Sequence, residues 1–427
     1  NKKIKINVIK KNKNKIVWLV LAFIMVIISI NFSSKINFLY VKEFLKRKID
    51  PKYFSILQVI GDMDRSSKKL NNDYNIKFLP ETQYLDLNFK KIGLIDYFTD
   101  EQVSGYADHL KLKVRQVFYI DNHLKNIIFL TSSGKLFYND YSEILQKKEL
   151  KIINSNLDII TALDLLVSDG YMYVSAVYVK DECAYLTLYQ AKISDLNNLD
   201  FVSIFDSNEC VAMIQSGRVV KLSGKNSLLL ATAADVLIKK NEMDDKPQNN
   251  NSIYGKILEI DLKTKEHKIF SKGHRNILGL YSDENVILST ENGPRGGDEV
   301  NKIVINENYG WPEVSYGQKY NGREDYPSSH SEYGYKEPIY SFIPSVGISQ
   351  IAKVNKKFSN KWEDNFLVAS LNGNHLFRMK FDNSYEKVFY IENIFIGERM
   401  RDLIYFEEEN VFLIALETSG SLGILKP

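Results

Sequence analysis

The chain is poor in cysteine, proline, tryptophan and histidine: its 427 residues hold two, nine, three and six of them. Neither cysteine belongs to a Cys-x-x-Cys pair or has a Cys/His partner, which argues against a zinc site. Scarce proline beside 23 phenylalanines, 26 tyrosines and 26% charged residues excludes a disordered chain and favours β structure. An excess of one charge is missing too. The net charge is +3, but seven lysines stand within residues 2–15, so the rest of the chain carries −4. A mildly acidic body offers no footprint for nucleic acid. No Walker loop, HExxH, GxSxG or EF-hand loop occurs. From about residue 80 onward, helical periodicity is nearly absent.

One long apolar run is present. Ile16–Phe32 (IVWLVLAFIMVIISINF) holds seventeen residues without a charge, just long enough to span a bilayer. Lysines before it and a long remainder behind it predict an uncleaved transmembrane anchor. Residues 1–15 would then be cytoplasmic, and the body would lie on the periplasmic or extracytoplasmic side. No A-x-A-like site follows in SINFSSK, which disfavours a cleaved signal peptide. Residues 33–75, polar and lysine-rich, read as a stalk. In an exported domain Cys183 and Cys210 are expected to form a disulfide enclosing 26 residues; two unrelated buried thiols are the alternative.

Short β-prone runs flank polar turns along the body. The turns fall at Ser133-Gly134, Asp169-Gly170, Gly224-Lys225, Asp283-Glu284, Asn372-Gly373 and Glu408-Glu409, each a hairpin signal. Their mean spacing of about 50 residues is the size of a four-stranded propeller blade. The strands are too many for one pair of sheets. The expectation is an all-β, six-bladed β-propeller over residues 76–427, closed by pairing of Gly420–Leu425 with Gln83–Phe89.

The loop ENGPRGGDEVN (291–301) follows the β-prone NVILST (285–290). Its glycines free the backbone for φ > 0 and leave carbonyls bare, and its Asp-Glu pair adds carboxylates. Such oxygens suit calcium. Around it stand GHRNILGL (273–280), NYGWPEVSYG (308–317), EPIYSFIPSVGISQIA (337–352), FLVASLNGNHLFRM (366–379) and GERMRDL (397–403). In their order and spacing these blocks resemble the glucose/sorbosone dehydrogenase family, the soluble PQQ-dependent sugar dehydrogenases. The likeness is close over 273–403 and looser over 155–270. It implies a six-bladed propeller with pyrroloquinoline quinone (PQQ) on its top beside a calcium ion. By the same resemblance, Gly293 and Pro294 would give carbonyls to that ion, and Glu299 would help bind a second, structural calcium. Arg275, Asn276, Arg399 and Arg401 would contact the quinone, with Asn372 where the family usually has a lysine. Arg399 and Arg401 alternate with Met400 and so share a strand face. Two like charges there call for an anion between them.

The pattern breaks at the general base. The family places Asp-His before a Ser-Gly-Arg stretch, whereas this chain reads MIQSGRVV (213–220), with Met213 and Ile214 in those places. Neither side chain accepts a proton, and losing a positioned base costs about 10²–10⁴ in rate. The usual Gly-Asp after this stretch is Ala234-Asp235, and IITALDLLV (159–167) lacks the glutamine that helps bind sugar. Among the histidines, His274 reads as a structural hydrogen-bonder. His330, in YPSSHSEYGY, is a weak candidate for a replacement base and otherwise a solvated loop residue. Tyr326, Tyr333 and Tyr335 of that loop are candidates to stack on a sugar or the quinone. The expected function is a membrane-anchored, PQQ- and calcium-binding dehydrogenase of a sugar or other alcohol, with altered or weak catalysis. The alternative is a non-catalytic propeller that binds a glycan or a partner protein.

Overall fold

The computed structural model describes residues 85–97, 116–233, 245–319 and 325–427. The basic segment, the apolar run and the stalk lie outside them. Among the described residues no helix is long and apolar enough to cross a membrane. They form six sheets, five of four strands and one of five, and a single α-helix of five residues, Tyr141–Leu145. The inner strands are Phe118–His123, Thr161–Ser168, Val219–Lys221, Ile277–Ser282, Ile348–Lys353 and Met400–Phe406. They touch one another in cyclic order, the sixth returning to the first. This is the six-bladed propeller that the turns predict. The ring closes where Asn88–Gly93 pairs with Ser421–Lys426 as the outermost strand of blade 6.

Each sequence-predicted turn falls in a different blade. Four join a first strand to a second, and those at 133–134 and 372–373 join a second to a third. The two kinds lie at opposite ends of the strands, so the gaps between them along the chain are uneven. We call the end carrying the second-to-third turns, and the entries to the inner strands, the upper face. The other end is the lower face.

Strand alternation turns apolar side chains into the gaps between blades. Leu163, Leu186 and Leu188 of blade 2 meet Leu228, Leu230 and Leu258 of blade 3 in one buried cluster, each burial worth about 1.5–3 kcal/mol. Near the axis the blades are bolted by polar side chains that accept a neighbour's backbone N–H. Asp121 takes that of Val167 (2.6 Å), Asp164 that of Val219 (2.8 Å), Asp402 that of Ile120 (3.0 Å) and Gln350 that of Leu280 (3.1 Å).

Arg218 crosses the axis. From blade 3 its guanidinium reaches Asp164 of blade 2 (2.6 Å), Asp402 of blade 6 (2.8 Å) and the carbonyls of Leu278 and Arg401. It also lies over the Tyr119 ring. All three charged groups are almost fully buried. The expected disulfide is present, joining Cys183 to Cys210, and no cysteine is left free.

Candidate functional site

The site residues expected from sequence gather on the upper face, at entries to inner strands and at second-to-third turns. In blade 4, His274 is fully buried. Its ring bonds Ser271 Oγ (2.9 Å) and Glu291 (3.1 Å) and stacks on Tyr309, confirming its structural role. Glu291 also accepts the backbone N–H of Arg275. Arg275 in turn donates to the Asn292 carbonyl (2.7 Å) and lies over the Trp311 ring. The GHRN arm is thereby fixed to the loop that carries Gly293 and Pro294.

Asp298 is the anchor of that loop. One oxygen accepts from Gly293 N–H (3.0 Å) and Ser345 Oγ (2.6 Å), and the other from the N–H groups of Val346, Gly347 and Ile348. Burial raises its pKa against these bonds. Both oxygens are committed to the protein, so of the Asp-Glu pair only Glu299 is open to another role. Gly293 must be glycine, because a Cβ there would meet the Gly297 carbonyl at 2.3 Å.

Does this corner fit a cation under a quinone? The carbonyls of Gly293 and Pro294 accept no hydrogen bond among the described residues. The amide oxygens of Asn276 and Asn292 are buried without a partner. These oxygens fit a hard cation or a ligand donor. Glu299 fits less simply. It stands opposite Glu291 across the sheet, and His330 Nε2 lies 3.6 Å from it. Burial pushes Glu299 up to about 7, with Glu291 and Glu337 adding to the rise and His330 opposing it. No group of three His, Cys, Asp or Glu side chains among the described residues is arranged to hold a metal.

His330 is not a solvated loop residue. Only 1% of it is exposed, between Glu299 and Glu337 (3.5 Å) and against the Tyr316 ring. This histidine stands between the third and fourth strands of blade 4, Asp298–Lys302 and Tyr340–Phe342, and its side chain is turned inward. Burial lowers the ring's pKa, but the two carboxylates outweigh it and raise the net value. Glu337 falls to about 2, held there against burial by His330, Ser331 and Tyr316. Tyr326 packs on Trp311, Tyr335 bonds Glu313, and Tyr333 is exposed.

In blade 6 the anion demanded by Arg399 and Arg401 comes from the chain itself. Glu417, fully buried, takes Arg399 Nε on one oxygen (2.5 Å) and Arg401 Nε on the other (2.8 Å). Burial would raise Glu417, yet Arg401 and Arg399 bring it down to about 2. Arg399 also donates to Asn372 Oδ1. Glu417 was legible to within one residue: counting outward from the turn at 408–409 sets it against Met400, and a bulge between Met400 and Asp402 shifts it onto Arg399, whose carbonyl accepts its N–H (3.0 Å).

At the entry to blade 3, Ile214 is 7% exposed and belongs to the apolar cluster between blades 2 and 3. The side chain at 214 therefore packs into the wall between these blades. Met213 is met by Gln215 Nε2. Asp235 lies outside the described residues.

The sequence model described as Glucose / Sorbosone dehydrogenase matches residues 157–424. The aldose sugar dehydrogenase YliI of Escherichia coli is 28% identical over 166 residues, 38% of this chain and 44% of that protein. Quinoprotein glucose dehydrogenase B of Acinetobacter calcoaceticus is 26% identical over 209 residues, 36% of this chain and 44% of that protein. The chain thus spans less than half the length of these curated relatives. The crystal structure of the soluble aldose sugar dehydrogenase of Escherichia coli, in its apo form, superposes with a TM-score of 0.65. That match is 20% identical and covers 80% of this chain and 100% of that one. At this identity the likeness speaks for the fold.

Proposed function

The chain belongs to the glucose/sorbosone dehydrogenase family, and from that premise we propose a membrane-anchored, extracytoplasmic propeller that binds PQQ and calcium on its upper face. Its oxidation of sugars or other alcohols is weak or altered. When bound, the quinone would supply the hydride acceptor. Arg275, Arg399 and Arg401 would bind its carboxylates. The carbonyls of Gly293 and Pro294, with the amide oxygens of Asn276 and Asn292, would face the cation.

The observation that carries the weak chemistry is Ile214. It is a buried hydrocarbon where the family pattern has a proton acceptor, so the substrate hydroxyl has no base at that place. The same burial favours a second reading, a non-catalytic propeller that binds a glycan or a partner protein. Titration of PQQ into the whole detergent-solubilised chain, with and without calcium, tests the first. A calcium-dependent absorbance change followed by slow aldose turnover supports it. No quinone binding under either condition leaves the second.

A further inference from the structure

The axis of the propeller holds a cavity of about 610 Å³. It opens toward the lower face, away from the quinone corner, since it is lined by ends of inner strands and by Asp283 and Asp364 of the lower turns. The Arg218 bridge to Asp164 and Asp402 spans the axis at its inner side. Its walls mix polar and apolar groups in similar measure, with the half-buried Leu166, Val167, Val220 and Ile404 among the apolar ones. A volume of this size suits a small organic molecule.

The carboxylates on its wall are not alike. Asp164 and Asp402 share Arg218. Asp283 and Asp364 share Lys353, at 3.2 and 3.1 Å. Asp121 has no cationic partner among the described residues. It accepts the backbone N–H groups of Val167 and Asn122 and nothing else. Burial pushes it up to about 7 against those two bonds, with Asp402 and Asp164 adding to the rise. A desolvated, ionised carboxylate without a counter-charge is costly, and a positive ligand would remove that cost.

We propose that the lower cavity is a binding site for a small protonated organic amine, its ammonium group against Asp121 and its body against the apolar side chains beside it. An inorganic cation fits less well. It takes several converging oxygens, and the described residues offer no group of three such ligands. The site is independent of the quinone corner, so its failure leaves the proposed function untouched.

Calorimetric titration of the whole solubilised chain with benzylammonium, benzyl alcohol, phenylacetate and magnesium chloride tests this. Benzylammonium should bind at least about tenfold more tightly than benzyl alcohol or phenylacetate. Asp121→Asn should lose that preference. Val220→Trp, which narrows the cavity from a half-buried wall position and spares Asp121, should abolish binding while the circular dichroism stays that of the wild type. Equal binding of the three aromatic probes would overturn the proposal. So would benzylammonium binding retained in both variants, or an Asp121-dependent response to magnesium as strong as that to benzylammonium.

Discussion

The entries to blades 3 and 6 match the same family in opposite ways. At blade 3 the matched residues are Gln215 to Arg218, and three of these four have structural work. Ser216 donates to the Ile277 carbonyl. A Cβ on Gly217 would meet Leu163 at 2.8 Å. Arg218 bridges the axis. The residues that would do chemistry, at 213 and 214, are hydrophobic. At blade 6 the charged residues of the motif are present, yet Glu417 already neutralises half of them. A motif match at blade 3 is thus a statement about the fold. At blade 6 the match keeps the charged side chains themselves, gathered about Glu417.

The sharpest way to break this comparison is at Arg218. If its role is structural, Arg218→Met strands Asp164 and Asp402 without a counter-charge and costs about 3–5 kcal/mol. Denaturant unfolding would register the loss. A stable variant that failed only in ligand binding would instead make the residue part of the site. Next in size is the disulfide near the same entry. Replacing both Cys183 and Cys210 by serine frees a 26-residue loop and should cost about 3 kcal/mol. Differential scanning calorimetry in the presence and absence of reductant checks this.

Much of the fold was legible in the chain. The six turns found six blades because a turn residue with nearby β-branched runs encodes a hairpin locally. The partners at the site were not, for the most part. Asp298 and Arg218 reach residues 47 to 184 positions away, and no local pattern announces such pairs. His330 misled for a related reason: polar neighbours in sequence say nothing of Glu299, which meets it from another strand. Glu417 is the exception, since one hairpin register contains both it and the arginines.

Restoring the base sharpens the contrast from the other side. Met213→Asp with Ile214→His should raise quinone-dependent aldose turnover about a hundredfold, the lower end of what a base supplies. Ile214 packs into the wall, so the imidazole must leave the apolar cluster to act. Unchanged turnover in a folded variant that still binds quinone would mean that the wall keeps it. At blade 6, acid should reveal Glu417. Its folded pKa is about 2, below the ordinary carboxylate value. Its contribution is therefore complete at neutral pH and lost as pH falls from about 5 toward 2, by roughly 2 kcal/mol. Glu417→Gln should remove that part of the acid dependence in urea titrations at pH 6 and pH 3.

The smallest effect is the most discriminating. Asn372 accepts from Arg399 at the edge of the blade 6 array. Asn372→Lys replaces an acceptor with a third positive charge beside two arginines that share one carboxylate. Without a ligand, the added repulsion should lower stability by about 0.5–1 kcal/mol, because the site is partly exposed and solvent screens it. A tricarboxylic quinone bound across the arginines would reverse the sign, since the lysine then faces an anion. Melting curves of both proteins with and without PQQ give the four values needed. If PQQ stabilises the lysine variant more than the wild type, the arginines of blade 6 belong to a ligand site. Equal shifts would mean that Glu417 has already closed the array, and the upper face would resemble the family in architecture without its anion site.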